Sequence, residues 1–284
     1  MRTLLEIVTK ALEFLASKGI ANAKVNAELL IGHALHLKRR ELYSQLERPL
    51  TEGELETIRS LLRRRGQREP LQYIMGHTEF CGLKIITDRR ALIPRPRTEL
   101  LVERITELLA EKPPTSILDL GTGCGAIALA LATHWPLAKV TATDIDSKAL
   151  TLAEENAISL GIVGRMIFIQ SDWFMTLGAN ARFDLIVANP PYLSEEETAA
   201  LDIEVRQHEP EIALTAGPSG HEAIFKIIAD SVRYLKPGGW LAMETGEAQH
   251  AGIMEKLNFL GFSLGDLRPV LRGQNSSVLA QSAH

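Results

Sequence analysis

The sequence predicts an α/β chain: a doubly wound, mostly parallel sheet preceded by a small all-helical region and a β-hairpin. Three observations carry this reading. From Thr98 onward, short apolar runs alternate with helical stretches, the rhythm of strand–helix–strand units. The first seventy residues instead carry apolar side chains at helical spacing. Between the two regions, Phe80, Leu83, Ile85 and Ile86 are broken by Gly76 and Gly82, which suits two short strands better than a helix.

Composition bounds the function. At 284 residues the chain has room for about two domains of roughly 100–200 residues. Hydrophobic residues make up 45% and charged residues 23%, which excludes wholesale disorder. The apolar run at 126–132 is far short of the roughly 18 residues that crossing a bilayer needs, so no membrane association is expected. A formal charge of −4 sets no whole-chain demand for nucleic acid, and direct nucleic-acid binding is not expected. Cys81 and Cys124 cannot build a disulfide framework or a four-cysteine zinc site. The eight histidines show no metal-ligand spacing, and no metal is expected. Opening directly into an amphipathic helix containing Glu6, the chain shows no leader pattern, which implies a cytoplasmic location.

The elements follow in order. Leu4, Leu5, Val8, Ala11, Leu12 and Leu15 predict a helix closed by Gly19, and residues 25–37 and 40–46 predict two more. Thr51 and Glu54 form a capping box opening a helix with Leu55, Ile58, Leu61 and Leu62. That helix ends in Arg63-Arg64-Arg65, read with Arg68 as a solvated end, or more sharply as a contact for an acidic surface or ribosomal RNA. Pro70 stops the helical part, and Pro94-Arg95-Pro96 stiffens the exit from the hairpin. Domains are therefore expected at residues 1–72, 73–93 (the linker) and 94–284. Beyond, Thr98 is read as the cap of a helix to residue 109. Strands are expected at 116–120, 139–143, 165–170, 183–188 and 240–244, and helices at 126–134, 147–160 and 221–235. Pro237-Gly238-Gly239 reads as a turn, and residues 262–279 as closing antiparallel strands.

Four residue sets sit where strands end, the place where open α/β sheets bind ligands. Asp119-Leu120-Gly121-Thr122-Gly123-Cys124-Gly125 runs from a strand through alternate glycines into a helix. Such glycines let the backbone turn tightly and a ligand approach closely, and Gly121, Gly123 and Ala126 also satisfy a nicotinamide fingerprint. Asp119 adds a carboxylate for an ammonium group, and the helix start beyond favours a carboxylate. About twenty residues on, Asp144-Ile145-Asp146 ends the next strand, with Asp144 placed for the hydroxyls of a ribose and Asp146 for a helix cap. Asp172-Trp173-Phe174 follows the third strand; a carboxylate and an indole suit a purine, whereas the bland reading is core aromatics. Asn189-Pro190-Pro191-Tyr192 follows the fourth. Its prolines hold the chain extended and leave carbonyls as acceptors, which with the Asn189 side chain suit an –NH2 group, and Tyr192 offers a ring for a planar group. The competing reading is an Asx-Pro turn.

Together these sets resemble the class I S-adenosylmethionine-dependent methyltransferases that carry Asn-Pro-Pro-Tyr and methylate planar nitrogens. Residues 70–76, Glu79-Phe80-Cys81-Gly82-Leu83, Leu92-Ile93-Pro94-Arg95-Pro96, Thr98-Glu99, Glu209-Pro210, Ala213-Leu214 and Leu235-Lys236-Pro237-Gly238-Gly239 narrow the match. They resemble the release-factor glutamine methyltransferases, the HemK/PrmC family. The resemblance implies a seven-stranded Rossmann-like sheet and S-adenosyl-L-methionine as methyl donor. It places the donor against Asp119, residues 121–125, Asp144, Ile145, Asp172, Trp173 and Asn189, and the substrate amide at Asn189, Pro190, Pro191 and Tyr192, with Asn189 and Pro190 catalytic. It further implies a glutamine of the Gly-Gly-Gln loop of bacterial peptide-chain release factors as substrate, and a helical domain that holds that protein. A ribosomal protein of the L3 type, or an amino group of a nucleic-acid base, is the alternative acceptor. Three features depart from the family pattern: Arg97 where an acid is usual, Ser219 and His221 near Gly220, and Arg272-Gly273-Gln274-Asn275-Ser276-Ser277 near the end.

Overall fold

A computed structural model describes residues 2–246, 249–266 and 276–283. By contact the chain divides into two compact units, Met1–His77 with Asp202–His208, and Thr78–Leu201 with Glu209–His284.

The first unit is helical: α1 (Leu4–Ser17), α2 (Ala23–Leu35), α3 (Arg39–Leu42), α4 (Glu52–Gly66) and α5 (Leu71–Met75). Each of the two longest has a capping box. The Thr51 hydroxyl accepts from Glu54 N–H while Glu54 reaches back to Thr51 N–H, and Thr3 does the same with Glu6, a second box of the same spacing. Leu4, Ile7, Ala11 and Leu15 of α1 meet Ala27 and Ile31 of α2 and Leu55 and Ile58 of α4 in one apolar core. The arginine run is not the solvated end its composition suggested. Arg65 is only 5% exposed, because the face of α4 that carries it turns inward. Its guanidinium donates to Asn26 Oδ1 at 2.8 Å, to the Glu69 carbonyl at 2.9 Å, and to both oxygens of Glu204 at 2.8 Å. Arg64 forks onto Glu69 and Arg68 reaches Glu204, so three of these cations are already paired.

The hairpin follows, β1 (His77–Phe80) and β2 (Leu83–Ile86), all but its first residue in the second unit. Helix α6 (Pro96–Leu108) leads into β3 (Ser116–Leu120), α7 (Ala126–His134), β4 (Lys139–Asp144), α8 (Ser147–Ser159), β5 (Met166–Gln170) and β6 (Phe183–Ala188). Two short helices follow, α9 (Glu195–Ala199) and α10 (Ile203–His208), of which α10 belongs to the first unit. Then come α11 (Glu222–Tyr234), β7 (Leu235–Thr245), α12 (His250–Phe259), β8 (Phe262–Asp266) and β9 (Ser276–Ser282). The strands form one seven-stranded sheet in the order β5-β4-β3-β6-β7-β9-β8, with β3 to β7 parallel and β9 antiparallel to both its neighbours.

Strand alternation sends Ile117, Leu185 and Val187 to a core under α6, α7 and α8, and Leu118, Ile186 and Leu241 to a core under α11 and α12. Burial on both faces explains why these strands read as continuous apolar runs. Pro237-Gly238-Gly239 is not a turn ahead of the last parallel strand. β7 runs through it, and the extra residues bulge, since Phe183 pairs with Leu235 but Leu185 already pairs with Trp240. Gly238, at φ 72°, absorbs the bend. Helix α6 begins at Pro96 with Arg95 as its cap, because a proline in the first turn has its φ preset, so Thr98 lies inside the helix. Of the atypical C-terminal segment, residues 272–275 lie outside the described residues. Among the described residues no helix is long and apolar enough to cross a membrane.

The Arg65 pairing predicts that Arg65→Ala lowers unfolding free energy by roughly 2–3 kcal/mol in denaturant titration, since Asn26 and Glu204 lose their partner inside the unit. Arg63→Ala, at an exposed position with no such bonds, should change it by less than about 0.5 kcal/mol.

Candidate active site

Strands β3 and β6 lie side by side with Leu120 opposite Ala188. The glycine loop and the Asn-Pro-Pro-Tyr segment therefore leave the sheet at the same level. From β3 the chain winds outward through β4 and β5, then returns to β6 on the other flank. That reversal opens a crevice above the carboxyl ends of β3 and β6.

Gly121 and Gly123 take φ of 66° and 57°, which other residues adopt only under strain. Gly125, at 86°, starts α7. A Cβ there would come within 3.1 Å of Ala153 Cβ and Leu129 Cδ1, so the glycine lets α7 seat against α8. Asn156 of α8, fully buried, fastens the loop from behind. Its amide donates to the Cys124 carbonyl at 3.0 Å and the Ile86 carbonyl at 3.1 Å, and its oxygen accepts from Ile86 N–H at 2.7 Å.

The carboxylates of Asp119 and Asp144 lie at this end of the sheet. Asp119 is 1% exposed and sits beneath the loop. Its Oδ2 accepts from the Thr122 hydroxyl at 2.6 Å and Ala128 N–H at 3.2 Å, whereas Oδ1 has no partner among the described residues. Burial pushes its carboxyl up to about 7; the two hydrogen bonds oppose that rise and the charge of Asp144 adds to it. Asp144 accepts from Gly123 N–H at 2.8 Å and Asp146 N–H at 3.0 Å, and burial raises its pKa as well. Asp146 caps α8 by accepting from Lys148 N–H at 2.8 Å.

A cavity of about 440 Å³ occupies the crevice, within the range of small-molecule sites. Gly121, Thr122, Gly123 and Cys124 form one wall, with Asp144 and Ile145 beside them. Asp172, Trp173, Asn189 and Pro191 also line it, whereas Asp119, Gly125, Pro190 and Tyr192 lie off the wall. The aromatic pair splits. Phe174 stacks on Tyr234 in the core, with centroids 4.8 Å apart, while Trp173 reaches the cavity and packs against Gly121. Trp173 does so at φ 53°, a strained value for a bulky residue and common at functional sites. Asp172 meets Lys226 at 3.2 Å.

Asn189 is held by residues far away in sequence. Its Nδ2 donates to Thr98 Oγ1 at 3.3 Å, and the Thr98 hydroxyl donates to Glu244 Oε2 at 2.6 Å. Glu244, buried, also accepts from Arg97 Nε at 2.7 Å and the Tyr192 hydroxyl at 3.3 Å. Burial, with Glu244 adding its charge, drives the Tyr192 phenol upward. Arg97, the departure from the family pattern, thus neutralises a buried acid. A second clamp is Glu209, which accepts from Ile93 N–H at 3.0 Å and from Arg95, joining the walls that carry Pro94 and Pro210. Sequence reasoning assigned no such role to Asn156, Thr98, Glu209 or Glu244. Their partners lie 32 to 147 positions away, and no local spacing announces them. Among the described residues no cluster of three or more His, Cys, Asp or Glu is placed to hold a metal.

Strand order, glycine loop and cavity define a methyltransferase of the Rossmann-like class I type. The fold is shared with the crystal structure of a ribosomal protein L11 methylase from Lactobacillus delbrueckii subsp. bulgaricus, at TM-score 0.51 and 23% identity over 67% of this chain and 81% of that one. Residues 6–76 match the PrmC N-terminal domain, and residues 96–206 the methyltransferase small domain. The release factor glutamine methyltransferase of Chlorobaculum tepidum is 42% identical over 94% of this chain and 92% of its own length. That of Geobacter sulfurreducens is 41% identical over 88% and 86%. The chain belongs to the release factor glutamine methyltransferase family.

Because Asp119 titrates near 7 when folded and near about 4 when unfolded, the folded state holds the extra proton between those values. Its contribution to stability is therefore greatest at acid pH and declines as pH rises from about 4 to 7. Subtracting the pH–stability curve of Asp119→Asn from that of the unmodified protein should expose this slope; a difference curve rising with pH would contradict the buried, uncompensated carboxyl.

Proposed function

We propose that the chain transfers a methyl group from S-adenosyl-L-methionine to the side-chain amide nitrogen (N5) of the Gly-Gly-Gln glutamine in bacterial peptide-chain release factors, supporting termination of translation in the cytoplasm. The observation that carries this reading is the polarity of the cavity where β3 and β6 end. A glycine loop with buried carboxylates stands on one side, and Asn189 and Pro191 of the Asn-Pro-Pro segment on the other. Names of relatives spanning most of the chain support it.

The residues present fit the donor. Positive-φ glycines open a cradle, and an unpartnered buried oxygen of Asp119 beneath them suits an ammonium group. Residues 121–124 would face the methionine part, with Gly125 behind them, Asp144 and Ile145 at the ribose, and Asp172 and Trp173 at the adenine. When bound, the donor supplies a methyl group made electrophilic by its sulfonium. Asn189, Pro190, Pro191 and Tyr192 are assigned to the substrate. An amide nitrogen is a poor nucleophile, because its lone pair is delocalised into the carbonyl. Asn189 Oδ1 and the Pro190 carbonyl, accepting its two N–H groups, would orient it and stabilise positive charge developing there. The proton leaves to solvent without a strong base, since an alkylated amide cation is very acidic. Tyr192, tied to Glu244, braces the segment from behind. The helical N-terminal unit is assigned to holding the protein substrate.

Labelled methyl transfer to purified release factor, ribosomal protein L3, DNA and RNA tests the reading. Label is expected in release factor alone, and its loss is expected when the loop glutamine becomes alanine. Asn189→Ala should lower kcat by about 10²–10³ while affinity for S-adenosylhomocysteine changes only a few-fold. Label in nucleic acid instead, or an unchanged kcat in that variant, would sink it.

A further inference from the structure

A hydroxyl carries one proton, and where that proton goes decides what else the oxygen can do. In Thr98 it goes to Glu244, whose carboxylate oxygen lies 2.6 Å away and can only accept. The remaining capacity of Thr98 Oγ1 is as an acceptor, and it meets Asn189 Nδ2 at 3.3 Å. An asparagine amide has two nearly isosteric ends and could present either to the cavity. Here a chain of three groups removes that choice. Glu244 compels Thr98 to donate, Thr98 then demands a donor from Asn189, and Asn189 must give it the NH2 end. Its Oδ1 is left as the end available to a ligand, and no described residue hydrogen-bonds to it.

The chain of groups is built into the fold. Ala188 pairs with Met243, so Asn189, just past the end of β6, comes beside Glu244 of β7. Thr98 and Glu244 are both buried, and Thr98 and Asn189 both line the cavity. Arg97 and Tyr192 hold the far oxygen of Glu244, which keeps the near one on Thr98. With the opposite polarity, the NH2 of Asn189 would face the cavity, repel an incoming –NH2 and favour an acceptor such as a carboxylate.

We propose that Thr98 is a positioning and specificity-determining residue: its hydroxyl, oriented by Glu244, sets the polarity of the Asn189 amide and so selects a primary carboxamide over a carboxylate. This rests on the methyl-transfer reading above, which assigns Asn189 Oδ1 to the substrate amide. Thr98→Val keeps the shape and removes both hydrogen bonds; Thr98→Ser keeps the hydroxyl.

In steady-state assays on release factor, Thr98→Val should lower kcat by roughly tenfold, the factor that one hydrogen bond of ordinary strength represents. KM for the donor and the affinity for S-adenosylhomocysteine should stay within about twofold. Thr98→Ser should restore kcat to within about threefold. A second measurement does not need turnover. In protein labelled with ¹⁵N at asparagine, the side-chain NH2 signal lost in Asn189→Ala should exchange faster with solvent in Thr98→Val and not in Thr98→Ser. Unchanged kcat and unchanged exchange in Thr98→Val would overturn the proposal. Failure of the unmodified enzyme to label any amide would overturn the function instead, while the exchange measurement would still report on Thr98.

Discussion

The register that places Leu120 opposite Ala188 is the constraint on which the site depends. Each strand ends by delivering a loop of opposite chemistry to one crevice. After β3 the backbone bends through positive-φ glycines that leave space for close approach. After β6 it stiffens through two prolines that leave oxygens without competing donors. A slip of one residue would turn the buried sets of both strands inside out. Register is therefore held by the two apolar cores that sandwich the sheet, and the catalytic geometry inherits their rigidity.

Behind each loop stands a buried polar side chain whose bonds are satisfied by elements remote in sequence. Asn156 ties the glycine loop to the hairpin, Glu209 ties the walls carrying Pro94 and Pro210, and Glu244 ties α6 to the segment after β6. Such groups are costly to bury unless fully bonded, and when bonded they admit one arrangement. At Asp119, by contrast, one oxygen is left unsatisfied beneath the loop. An uncompensated buried acceptor costs stability.

Much of this was legible in the sequence because the signals were local. Buried parallel strands read as short apolar runs, the alternate glycines and paired prolines mark where those strands end, and Thr51 with Glu54 announces its own helix. Three kinds of feature were not legible. Pro237-Gly238-Gly239 carries the residues of a turn, and only pairing with β6 turns it into a bulge. Arg65 sits in a run that composition reads as solvated, and only tertiary partners reveal a buried cation. Thr98 and Glu244 are unremarkable by themselves and acquire meaning through a hydrogen bond spanning 146 positions.

Methyl transfer to an amide here needs the two strand ends to bring an acceptor pair up to a carboxamide beside a methyl donor. A crystal structure of the enzyme with S-adenosylhomocysteine and a Gly-Gly-Gln peptide examines it directly. The glutamine nitrogen is expected within about 2.7–3.2 Å of both Asn189 Oδ1 and the Pro190 carbonyl, on the side facing the sulfur. A peptide amide seated elsewhere, with those two oxygens bonded to water or to the protein itself, would contradict it.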